Sequence, residues 1–103
     1  MRRPVACLVL LCLPAFVGPA FADYALLVRS NCLACHQVDK RKYGPTLKEV
    51  AAKYADDKDA AGKLARKIRA GGSGVWGPDV MPPQPQVSQA DALALANYVL
   101  SLK

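Results

Sequence analysis

Cys32-Leu33-Ala34-Cys35-His36 places two thiols three positions apart and an imidazole directly after the second. Thiols at that spacing can each add to a vinyl group of one haem, forming two thioethers. The next residue then sets a ring nitrogen beneath the iron as its proximal ligand. Three other chemistries use the same residue types. A zinc site normally takes four ligands, and beyond residue 22 the chain offers only these two thiols and one histidine. A thioredoxin-like dithiol is expected beside a βαβ pattern, which the sequence lacks. A plain disulfide suits the spacing but leaves His36 without a role. Covalent haem attachment is therefore the expectation, with a haem-free dithiol or binding module as the alternative.

The N-terminal flank points to export. Met1-Arg2-Arg3 is a short basic start, Val5 to Val17 is apolar, and Ala20-Phe21-Ala22 has the small-x-small pattern of a signal-peptidase site. Residues 1–22 are expected to be a cleaved signal peptide and 23–103 the mature domain in the periplasm. The alternative, an uncleaved anchor, is poorly served by a segment barely long enough to span a bilayer and broken by Pro14, Gly18 and Pro19. Cys7 and Cys12 read as hydrophobic residues of this segment, and Leu11 is too bulky for a lipid-attachment site at Cys12.

A domain this small buries a modest share of its surface and usually needs a staple, which a covalently held haem supplies. The 103-residue chain carries 14 Lys and Arg against 8 Asp and Glu; without Arg2 and Arg3 the balance is 12 to 8. The charges are scattered along helix faces with no accompanying aromatic stacking pattern, so nucleic acid is not expected as a partner. A mild positive field suffices to orient a redox protein.

Glycine and proline separate four helical patches, with no repeat or linker. The first runs from about Tyr24 to Asn31 with Asp23 as its cap. The second starts at Thr46, paired with Glu49 as a capping box, and has an apolar stripe at Leu47, Val50, Ala51 and Tyr54. The third repeats the stripe at Ala61, Leu64, Ala65 and Ile68 and ends at Gly71-Gly72. The fourth opens on Ser88 and Asp91, read as another capping box, with Ala92, Leu95, Ala96 and Val99 inward. No run of alternating β-branched residues is present, so the expected fold is all-α, about four helices and no sheet.

Between the third and fourth helices, Gly71 to Gln86 is dense in glycine and proline and holds Trp76, Met81 and Pro82-Pro83. This loop is expected to wrap the haem face opposite His36. Methionine is more often core filler than ligand, yet Met81 is the only methionine left once Met1 departs with the signal. It is expected as the second axial ligand, raising the reduction potential relative to a second imidazole. Trp76 is either an apolar anchor for the loop or a donor to a haem propionate, a task Lys67 would share. Pro45 is either a turn residue or the carbonyl that accepts from the outer nitrogen of His36. Lys40-Arg41-Lys42 is a solvated run or a docking element.

With these residues in place, the chain resembles the small class I c-type cytochromes of the bacterial periplasm, most closely those that carry electrons to nitrite reductase. The resemblance covers essentially the whole mature chain. It rests on Cys32-Leu33-Ala34-Cys35-His36, Tyr43-Gly44-Pro45, Ile68-Arg69-Ala70-Gly71, Gly74-Val75-Trp76-Gly77-Pro78 and Met81-Pro82-Pro83. It implies four helices around one haem c, with the first and last crossing, and His36 and Met81 as axial ligands. It also implies Pro45 supporting His36, Trp76 and Lys67 near a propionate, and docking over Leu33, Ala34 and Pro78 to Val80. Lys67 stands where an arginine is common, and Asp79 puts a charge where the docking patch tends to be apolar.

The expected function is a soluble, monomeric one-electron carrier and not an enzyme. Its donor would be a protein such as a quinol–cytochrome c reductase, and its acceptor nitrite reductase or an oxidase. The competing reading is a haem enzyme or gas sensor with an open or displaceable distal position, which lacks a second histidine or other acid–base set.

Overall fold

A computed structural model describes residues 1, 2, 4, 10–14 and 19–103, with the backbone alone over 19–22. Most of the expected signal segment, Cys7 included, lies outside the described residues. Helix α1 spans Pro19–Arg29, α2 Leu47–Lys53, α3 Ala60–Ala70 and α4 Gln89–Leu100. Between α3 and α4 the chain forms two strands, β1 (Gly72–Gly74) and β2 (Gly77–Met81), and Cys32–Ala34 is a single 3₁₀ turn. Among the described residues no helix is long and apolar enough to cross a membrane.

Two expectations need correction. The sheet-free reading fails: β1 and β2 pair antiparallel with Gly72 opposite Met81 and Gly74 opposite Gly77, and the register is irregular between those pairs. Composition hid this hairpin, because glycine, proline and aspartate are poor strand formers by propensity. The first helix also starts earlier than its expected cap. Pro19 begins α1, and proline suits a first helical position because the missing N–H would be unpaired there anyway. Asp23 therefore lies inside the helix of the full chain and does not cap it.

The remaining helix signals act as their chemistry requires. Thr46 Oγ1 accepts from the Glu49 N–H at 3.0 Å and the Glu49 carboxylate accepts from the Thr46 N–H at 2.9 Å, a complete capping box. At α4 only half of the expected box forms: Ser88 Oγ accepts from the Asp91 N–H at 3.1 Å. The aspartate is one methylene shorter than the glutamate or glutamine of a full box. The apolar stripes converge on one core, in which Leu27, Leu47, Val50, Leu64, Ala65, Leu95 and Val99 are buried together. In α3 the buried edge begins at Ala60, with Ala61 only partly covered.

Helix α4 is the hub, packing against α1, α2 and α3. Its Ala92 and Ala96 are fully buried, and their small side chains allow close approach of neighbouring backbones. The four helices leave one face of this core open, and the segments on either side of that opening carry the candidate site.

Candidate functional site

One wall of the opening is built locally. Helix α1 ends where Asn31 takes a left-handed conformation, φ 61°, a role asparagine tolerates better than most side chains. The chain then enters the 3₁₀ turn. The Cys32 carbonyl accepts from the N–H groups of Cys35 at 3.3 Å and His36 at 2.9 Å. Residues three apart eclipse in such a turn, so Cys32 and Cys35 share a side and both line the opening, with His36 beside them. Burial pushes the Cys32 thiol above its ordinary pKa. Cys32 and Cys35 are not joined to each other in this structure.

His36 is held by two neighbours. Its Nδ1 lies 2.8 Å from the Pro45 carbonyl, so Nδ1–H donates and Nε2 is the nitrogen left for a ligand. Gly44 lies against the ring: a Cβ there would stand 2.5 Å from His36 Cε1 and 2.8 Å from Nδ1. The absence of a side chain at position 44 is thus what admits the imidazole. The Gly44 N–H donates to the Cys35 carbonyl at 2.7 Å, and Leu47 N–H to Gln37 at 2.9 Å, folding residues 37–45 back under the turn.

The second wall comes from distant sequence. Met81 ends β2 and lines the same opening with Trp76 and Lys67. Gly71, at φ 68°, lets this segment cross the end of α3; a Cβ there would collide with the Met81 carbonyl and come within 2.7 Å of Pro83 N. Gln84 N–H donates to the Ile68 carbonyl at 3.1 Å, and Arg69 Nε to the Val87 carbonyl at 3.1 Å. Trp76, in the hairpin turn, receives the Lys53 ammonium 5.2 Å from its ring centroid, a cation–π contact that ties the hairpin to α2.

The structure brings together all seven residues singled out from the sequence: Cys32, Cys35, His36, Pro45, Lys67, Trp76 and Met81 line one cleft. Its floor is aliphatic, formed by Leu27, Leu64, Leu95 and Val99 among others. Sequence reading missed Gly44 and Tyr43 as separate contributors. Tyr43 Oη lies 3.3 Å from the Val80 carbonyl and 3.2 Å from the Val80 N–H. Nor is the basic run 40–42 merely solvated, since Lys42 donates to the Leu33 carbonyl at 3.2 Å and Arg41 pairs with Glu49 at 3.7 Å.

Residues 24–103 match the family model for cytochrome c. The chain belongs to the cytochrome c family. It is 57% identical over 86 residues to cytochrome c-552 of Nitrosomonas europaea, covering 84% of each chain. Over 87 residues it is 53% identical to cytochrome c-551 of Stutzerimonas stutzeri, covering 82% of this chain and 83% of that one. The crystal structure of the Nitrosomonas europaea cytochrome superposes with a TM-score of 0.76, covering 78% of this chain and 99% of that chain at 56% identity. This cytochrome is thus a monohaem class I c-type cytochrome and an electron carrier, its haem c covalently attached.

The cleft fits that group on its own merits. An apolar floor suits a flat macrocycle, and an imidazole nitrogen and a thioether lining one cleft are donors suited to haem iron. Among the described residues no group of three or more His, Cys, Asp or Glu side chains could hold a different metal ion.

Proposed function

We propose that the cytochrome is a soluble periplasmic one-electron carrier whose haem is attached through Cys32 and Cys35 and ligated by His36 and Met81. The observation that carries this reading is the 2.8 Å contact between His36 Nδ1 and the Pro45 carbonyl, with Met81 lining the same cleft. When bound, the haem supplies a one-electron ferric–ferrous couple that needs no bond to a substrate. The protein's residues do the rest. Pro45 fixes the tautomer and orientation of His36 and raises its basicity. Met81 would supply the second iron ligand, which would discourage oxygen chemistry. Trp76 and Lys67, which line the same cleft, would hold the propionates.

Residues 1–22 act as a cleaved signal peptide, and the mature chain is a monomer without enzymatic activity. Electrons arrive from a donor such as a quinol–cytochrome c reductase and leave to nitrite reductase or an oxidase. Partners dock briefly over the edge formed by Leu33, Ala34 and Pro78 to Val80. Exposure supports this, since Ala34, Pro78, Asp79 and Val80 all face solvent. Weak redox encounters use small interfaces of this kind.

The test uses mature protein from a cell with haem-attachment machinery. Its mass should equal residues 23–103 plus one haem; an unmodified mass would end the reading. The reduced protein should resist carbon monoxide at neutral pH, whereas Met81→Ala should bind it readily. Rapid, full binding by the parent would favour an open-site enzyme or sensor instead.

A further inference from the structure

We infer that Tyr43 is a positioning residue that restrains Met81, joining the two walls of the cleft across its exposed edge. This rests on the ligand assignment proposed above. Strand β2 is mostly solvent-exposed, and among the described residues its only strand partner is β1, which has three residues, two of them glycine. A two-stranded ribbon of this kind is marginal in water, and Pro78 contributes no N–H to it. Swinging β2 outward is therefore the least costly way for the Met81 thioether to leave its position.

Tyr43 opposes that motion. Its hydroxyl donates to the Val80 carbonyl at 3.3 Å and accepts from the Val80 N–H at 3.2 Å, gripping both polar groups of the residue that precedes Met81. At the other end, its backbone adjoins Gly44, whose N–H bonds Cys35 and whose Cα lies against the His36 ring. Among the described residues this is the only side-chain hydrogen bonding between residues 36–45 and β2. Tyr43 is 51% exposed, so partner docking or solvent could reach and loosen the clasp.

The test is imidazole binding to the ferric holoprotein, which reports how readily the position opposite His36 opens. Tyr43→Phe removes the hydroxyl and keeps the ring. Its apparent affinity for imidazole should rise about two- to fivefold over the parent, the range for one partly exposed hydrogen-bonding group. The absorption band specific to methionine–ferric coordination should weaken in parallel at elevated temperature. Met81→Ala calibrates the scale and should bind imidazole far more tightly than either. If Tyr43→Phe matches the parent in affinity while Met81→Ala does not, Tyr43 has no positioning role, whatever happens to thermal stability. If Met81→Ala also matches the parent, the ligand assignment fails and this inference falls with it.

Discussion

The two walls of the cleft are built by opposite strategies. The His36 wall is contiguous: residues 31–47 supply the left-handed turn, both thiols, the imidazole, its glycine bed and its carbonyl acceptor. Its hydrogen bonds join residues about ten or fewer positions apart. The Met81 wall is assembled from distant chain segments. Val80 leans on Tyr43, 37 positions away, Val87 on Arg69, 18 away, and the Met81–Pro83 backbone on Gly71. A wall made of local contacts loses little chain entropy in forming, whereas one made of distant contacts depends on the helices already being packed. The lesson is that the histidine side is preset and the methionine side is the one that can open.

Substitutions at the two bedding glycines give the largest contrast. Gly71→Ala should destabilise the protein by about 2–4 kcal/mol, because a left-handed φ and a collision with backbone both act at that site. It should also weaken the methionine–iron absorption band, because the displaced atoms belong to the Met81 segment. Gly44→Ala meets a side chain instead of backbone, and its cost should be smaller, about 1–3 kcal/mol of overpacking. Its signature should be a shifted potential or altered histidine signals with the methionine band retained. Thermal unfolding and visible spectra of both holoproteins check the pair. Equal loss of the methionine band in both would erase the distinction between the walls.

The helix that follows the His36 wall offers a milder probe. Thr46→Ala removes half of the capping box and should cost about 1 kcal/mol in denaturant unfolding. The imidazole affinity should stay unchanged, since Met81 is not involved. A rise in affinity there would mean that the two walls are coupled through α2.

The smallest effect belongs to a pair outside both walls. Lys63 Nζ lies 2.7 Å from Asp57 Oδ2, which also accepts from Asp59 N–H at 2.8 Å. The hydrogen bond from Lys63, followed by that from the backbone, holds the Asp57 carboxyl below its ordinary range, and the hydrogen bond to Asp57 pushes Lys63 up. The stabilisation from Asp57 is complete above the ordinary carboxylate pKa and fades as pH falls through the depressed value. That from Lys63 is complete below the ordinary ammonium pKa and fades as pH rises through the raised one. Asp57→Asn should therefore lower Tm slightly at neutral pH and match the parent in strong acid or high salt. A deficit that persisted in acid would show that packing, not charge, was removed.

The contrast between the walls also explains what could be read in advance. Cys32, Cys35 and His36 announced themselves through spacing, and Thr46 with Glu49 through side-chain length, since both signals act within one turn of chain. The stripe of α4 was legible for the same reason. The β1–β2 hairpin was not, because its glycines and prolines carry no strand propensity and the pairing depends on where α3 ends. Tyr43 was visible as part of Tyr43-Gly44-Pro45, but nothing nearby in sequence reveals that its hydroxyl meets Val80.

The sequence by itself determined the Cys32–His36 turn and the second, third and fourth helices, because spacing, capping and periodicity are properties of adjacent residues. Only the tertiary structure decided how Met81 is held. Which backbone Met81 rests on, and which hydroxyl closes the edge beside it, depends on segments brought together by the packing of α4 against the other three helices.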